Sequence, residues 1–291
     1  MYIYGCPMNY GINAKGLDNS IEYLQKELIN KRVGDVTHIS IDLLRCCKRK
    51  ETNNQKLKML NSVLATCKVI AEKADKIIKA GEIPLFIGGD HSASIGSVSA
   101  SSNNYDDLGL LWIDAHPDIN TDDTTITGNI HGMSVASLLG LGSASLTKIL
   151  NDKNKIKPKN IVMLGLRAID PPEKALLDEL KIKYYTRSDI KKIGIHNLLV
   201  KIEKYLDNKK IHVSIDIDVM NPKIIPGVSV PVEDGLEISE MNYTISFVKA
   251  RMKVIAWDIV EFNHYYDIED KTAKYILYMI DSICERNTLL V

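Results

Sequence analysis

A surplus of charge of either sign is missing from this chain. Its 37 Lys and Arg residues are balanced by 37 Asp and Glu, so there is no basic field to suggest nucleic acid or an anionic membrane as partner. No apolar run approaches the roughly 18 residues of a membrane span, and the opening MYIYGCPMNYGIN has neither the charged nor the apolar region of a secretion signal. A cytoplasmic protein is expected. Cysteine is sparse: Cys6, Cys46, Cys47, Cys67 and Cys284 are odd in number and form no C-x-x-C pair, which favours reduced thiols over a disulfide framework. Internal repeats, low-complexity tracts and Pro/Gly/Ser linkers are also absent. Residues 1–291 therefore read as one domain with ample length for a core.

What the chain does have is eight short apolar runs rich in β-branched residues: YIY, VTHISID, IPLFIGG, LGLLWIDA, NIVMLGLR, IKYYT, IHVSIDID and VIAWDIVE. Between most of them lie stretches of helical period, namely NSIEYLQKELIN, LKMLNSVLATCKVIAEKADKIIKA, PPEKALLDEL, HNLLVKIEKYLD and EISEMNYTISFVKAR, with a last helix in EDKTAKYILYMIDSICER. Near-continuous apolar strands alternating with helices predict an α/β fold, a parallel sheet covered on both faces. An open sheet and a closed eight-stranded barrel fit this pattern equally, and both place their sites at the carboxyl ends of the strands.

Four of the runs end in charged or metal-type residues. FIGGDH ends at Asp90 and His91, WIDAHPD at Asp114, His116 and Asp118, SIDID at Asp216 and Asp218, and WDIVE at Asp258 and Glu261. Residues two apart on an extended chain point to the same side, so Asp114, His116 and Asp118 can converge, as can Asp216 and Asp218. An isolated Asp-x-Asp is ordinarily a strand-end pair, but a buried cluster of carboxylates repels itself unless cations offset it. Four aspartates and two histidines, with no thiolate, favour Mn²⁺ or a similar ion over structural zinc. Six ligands suit two ions, between which a water has its pKa lowered from 15.7 to about 7, a metal-bridging hydroxide for hydrolysis. His38, His196, His212 and His264 lack this context and read as structural or surface residues.

On the motifs GGDHSASIG (88–96), DAHPDINTDDTTITGNIHGM (114–133), GLRAIDPPE (165–173), SIDIDVMNP (214–222) and WDIVEFN (257–263), the chain resembles the ureohydrolase family, and within it arginase most. The resemblance implies a single-domain, three-layer α/β/α fold with a mainly parallel eight-stranded sheet. It also implies two Mn²⁺ ions per subunit hydrolysing a small guanidino substrate, and trimers or hexamers of identical chains. Carried over by position, His91, Asp114, His116, Asp118, Asp216 and Asp218 become the metal ligands. Glu261 is implied to pair with the guanidinium, and His131 to shuttle a proton to the leaving amine. Asn120, Thr127 and Asn129 match positions that bind an α-carboxylate, while Asp170 and Glu173 match the surroundings of the α-amino group. Thr127 replaces the family's usual serine and keeps its hydroxyl. Ala168 stands where arginases usually carry aspartate. The expected reaction is hydrolysis of L-arginine to L-ornithine and urea; agmatine or a guanidino acid is the alternative substrate.

Overall fold

Two-residue alternation along each strand separates an upper and a lower core, and the helices follow that division. The computed structural model describes residues 1–12, 14–30 and 40–284. All eight predicted runs contribute strands: β1 (Tyr2–Gly5), β2 (Asp42–Leu43), β3 (Pro84–Ile87), β4 (Gly109–Ile113), β5 (Ile161–Leu166), β6 (Lys183–Thr186), β7 (Lys210–Asp216) and β8 (Lys253–Val260). Most of VTHISID, with His38, lies outside the described residues; within them β2 is Asp42–Leu43. The strands form one sheet in the order β2-β1-β3-β8-β7-β4-β5-β6, and every pairing is parallel. The sheet is open, not a barrel, and it is parallel throughout where a mainly parallel one was expected.

The helices are α1 (Leu17–Asn30), α2 (Leu60–Lys79), α3 (Ala93–Asn104), α4 (Ser134–Leu138), α5 (Ala144–Thr147), α6 (Pro171–Glu179), α7 (Arg187–Ile193), α8 (Ile195–Tyr205), α9 (Ile238–Arg251) and α10 (Lys271–Cys284). Leu85, Leu111, Val213 and Ile259 face one way, against Leu24 of α1, Leu199 of α8, Ile245 of α9 and Ile276 of α10. Phe86 faces the other way, with Ile70 of α2 and Ile95 of α3, and so does Trp112, with Val98 of α3 and Val135 of α4. The result is three layers.

The sequence reading did not include α3. Its ASIGSVSASSNN is buried from Ala93 to Ser101, so it shows no apolar stripe of helical period. Small residues let it lie close to α2: a Cβ on Gly96 would stand 2.5 Å from the Cys67 carbonyl oxygen. Its hydroxyls satisfy polar groups on the sheet, Ser97 donating to Asp258 at 2.7 Å and Ser101 meeting His212 Nδ1 at 2.8 Å. His212 Nε2 in turn lies 2.9 Å from Asp258. Asp258 is thus not at the sheet edge with Glu261, as its place in WDIVE suggested; it sits within β8, facing α3.

Candidate metal centre and active site

The four strands that end in ionisable residues are neighbours: β3, β8, β7 and β4 are the middle of the sheet. Chain-consecutive β3 and β4 are separated there by β8 and β7, so connections leave in different directions and open a crevice at the carboxyl edge. On β4 and β7 the same alternation that buries Leu111 and Val213 turns Trp112 and Ser214 towards α3, and continues to Asp114 and Asp216 at the strand ends.

His91 arrives after a Gly-Gly turn. Gly88 has φ +92°, and a Cβ there would stand 2.2 Å from the Ile21 side chain, so both conformation and space require glycine. The His91 ring is fully buried and stacks on Trp112 with centroids 3.8 Å apart. Its Nε2 meets Ser214 Oγ at 2.9 Å. Its Nδ1 faces Asp114, Asp216 and Asp118 carboxylate oxygens at 3.0, 3.1 and 3.3 Å, yet makes no hydrogen bond with any of them. On the far side of Asp114, His116 Nδ1 lies 2.9 Å from Asp218 Oδ2 and 3.6 Å from Asp114 Oδ1. Asp114 therefore turns one oxygen to each imidazole, and two ligand groups share it: His91–Asp114–Asp216 and Asp114–His116–Asp218.

Electrostatics make the same point. Burial raises the carboxyl pKa of Asp216, and repulsion from Asp218 and Asp114 adds to it. Burial likewise raises Asp118 and Asp218. For His91 burial disfavours the charged ring, but Asp114, Asp118 and Asp216 outweigh it and hold the pKa well above the usual histidine range. A donor nitrogen ringed by three carboxylates and bonded to none fits a hard divalent cation, and the shared Asp114 fits a pair of them.

Glu261 follows β8 with φ 64°, a left-handed conformation uncommon for a non-glycine residue. It points back across the site, Oε1 accepting the His91 backbone N–H at 2.9 Å and lying 3.1 Å from His131 Nδ1. Its Oε2 is buried without a hydrogen-bond partner. Burial favours a neutral His131, but the bond to Glu261 outweighs it and lifts that pKa to about 9.

Of the residues expected around a substrate's far end, Asn120 Nδ2 donates to Asp170 at 2.9 Å, and the Asn129 N–H donates to Thr127 Oγ1 at 3.1 Å. Asp170 and Glu173 form a capping box on α6, each side chain accepting the other's backbone N–H. Glu173 is buried, which pushes its carboxyl up to about 8. Thr127 is exposed and Ala168 half-buried.

Two contributors escaped the sequence reading, and a third, Asp90, was noted there only as a strand-end carboxylate. Trp112 Nε1 donates to Asp114 Oδ2 at 3.0 Å; its position two before Asp114 on an extended strand was the available signal. The Arg167 guanidinium donates to the carbonyls of Asp218, Val219 and Met220, holding the turn that carries Asp218. Buried Asp90 accepts the Gly11 N–H at 2.8 Å, and burial, then repulsion from Glu261, raises it to about 6.

Comparison with known proteins places these positions in context. The family model described as "Arginase family" matches residues 1–284. The chain is 33% identical to an arginase of Bacillus subtilis (strain 168) over 290 residues, 99% of this chain and 98% of that one. It is 31% identical to an arginase of Bacillus caldovelox, covering 97% and 96% respectively. Among solved structures, a Bacillus subtilis arginase superposes with a TM-score of 0.90 over 99% of both chains at 32% identity. An Entamoeba histolytica arginase in complex with L-ornithine gives 0.86 at 29% identity, covering 97% of this chain and 98% of that one.

Proposed function

Because the chain belongs to the arginase family, we propose that it is a manganese-dependent hydrolase that converts L-arginine and water to L-ornithine and urea. His91, Asp114, His116, Asp118, Asp216 and Asp218 would hold two Mn²⁺ ions. When bound, the ions supply neutralisation of the buried carboxylates and a water acidified towards neutral pH.

The observation that carries the guanidino reading is Glu261 Oε2, a buried carboxylate oxygen without a partner beside the imidazole–carboxylate cluster. A planar guanidinium offers paired N–H donors to such a group. Hydrolysis then breaks the bond from the guanidinium carbon to the side-chain nitrogen, and the departing amine needs a proton. His131, raised to about 9 by Glu261 against the effect of burial, carries one at neutral pH and stands 3.1 Å from Glu261, within reach of the same guanidinium. Asn120, Thr127 and Asn129 would receive the α-carboxylate, with Asp170 and Glu173 near the α-amino group. We assign the protein to the cytoplasm, as a homotrimer or homohexamer.

Ala168 favours a second reading, in which the substrate is agmatine or a guanidino acid such as 4-guanidinobutyrate. Urea release from L-arginine, agmatine and 4-guanidinobutyrate, with Mn²⁺-loaded and chelator-treated protein, separates the two. Metal-dependent preference for L-arginine is expected. Preference for another of the three replaces the substrate, and no urea from any of them overturns the reading. Asp216→Ala should abolish turnover and lower bound metal; full activity in that variant would remove Asp216 from the ligand set.

A further inference from the structure

Five cysteines are free among the described residues, and two of them meet. Cys6, fully buried just after β1, has its sulfur 3.2 Å from that of half-buried Cys46, in the loop after β2. The backbones are already joined beside them, Leu44 N–H donating to the Gly5 carbonyl at 2.7 Å. The other thiols turn elsewhere: Cys47 to the Arg45 carbonyl, Cys67 to the Ser92 carbonyl and Cys284 to the Met1 sulfur. Closing a disulfide of about 2.05 Å from the present contact needs an approach of only about 1 Å.

We propose that Cys6 and Cys46 are an oxidation-sensitive thiol pair, converted by peroxide to a disulfide that lowers turnover. Cys46 is the sulfur that solvent reaches, so it attacks the peroxide oxygen, giving a sulfenic acid and one water. Cys6 sulfur then displaces hydroxide from it, and the Cys6 proton completes a second water. Two thiols lose two electrons in all, and the peroxide gains them. A thiol reductant reverses the change.

The link to turnover runs through the segment that Cys6 begins. Two residues on, the Met8 carbonyl accepts the Asp90 N–H at 3.1 Å, and at Gly11 the N–H donates to Asp90 while the carbonyl accepts the His131 N–H at 3.3 Å. A Cβ on Gly11 would lie 2.1 Å from Asp90 Oδ1, so the segment packs against the groups beside His91 and His131 without slack. Pulling its start towards β2 by about 1 Å strains those contacts, and misplacement of that size can cost catalysis about 100-fold.

The test uses the full-length Mn²⁺-loaded protein treated with hydrogen peroxide, then alkylated, digested and mapped by mass. Free thiols should fall from five to three, with the Cys6 and Cys46 peptides joined, and urea release should drop several-fold and return with dithiothreitol. Cys46→Ser, at a half-buried position, and Cys6→Ala should each keep their turnover through the same treatment. A Cys46–Cys47 disulfide, or Cys46 oxidised further with Cys6 still free, overturns the pairing. A mapped Cys6–Cys46 disulfide with unchanged urea release overturns the effect on turnover. The turnover readout rests on the proposed hydrolysis; the peptide map does not, so failure of one is distinguishable from failure of the other.

Discussion

Glu261 Oε1 lies 3.1 Å from His131 Nδ1 while it also accepts the His91 backbone N–H. One carboxylate oxygen therefore fixes both the histidine proposed to move a proton and the turn that delivers a proposed metal ligand.

Removing that carboxylate charge should return His131 towards its ordinary value. In metal-free protein, NMR titration should place the His131 imidazole near 9, and Glu261→Gln should move it down towards 6.5. Since the folded value is the higher, the pair's contribution to stability is complete below pH 6.5 and is lost as pH rises through about 9. An unchanged titration in the variant would show that the contact does not raise the pKa.

Trp112→Phe keeps a ring to stack on His91 but removes the N–H that Asp114 accepts. Metal affinity should fall by about 10–100-fold, the usual cost of losing a group that orients a ligand. Equilibrium dialysis against Mn²⁺ measures it. Wild-type affinity in a folded variant would mean that the backbone alone holds Asp114.

Ala168→Asp tests the far end of the substrate. A carboxylate there should raise kcat/KM for L-arginine relative to 4-guanidinobutyrate, which lacks the α-amino group, by about tenfold, the scale of one hydrogen bond to a charged group. An unchanged ratio would place position 168 outside the α-amino subsite.

Burial raises Glu173 to about 8, so ionising it in the folded protein carries a cost. That cost begins above the ordinary value of 4.5 and is complete above about 8. Glu173→Gln retains an acceptor for the Asp170 N–H and cannot ionise. Its thermal midpoint should exceed that of wild type at pH 8.5 and approach it at pH 4.5. Equal midpoints at both values would place a compensating cation beside Glu173.

The strands and the proposed ligands were legible for the same reason. Val, Ile and Leu runs mark buried parallel strands, and the two-residue period that buries Leu111 and Ile113 also fixes which way Trp112 and Asp114 point. Helix α3 was not legible because a helix buried all round has no polar face to set a rhythm. Asp258 misled because closeness to Glu261 in sequence outweighed the period, which turns Asp258 towards Ser97 and His212. Strand order has no local signature: His91 and Glu261 meet across 170 positions of chain.

That order also sets a timetable for folding. β7 and β8 are the last strands in the chain, yet they lie between β3 and β4. A chain emerging from the ribosome holds the two flanks of the crevice long before the pair that joins them, and such distant pairings are slow to form. Asp216, Asp218 and Glu261 arrive with those strands, so tight uptake of the proposed metal ions and closure of the sheet should occur together, with earlier intermediates holding them weakly.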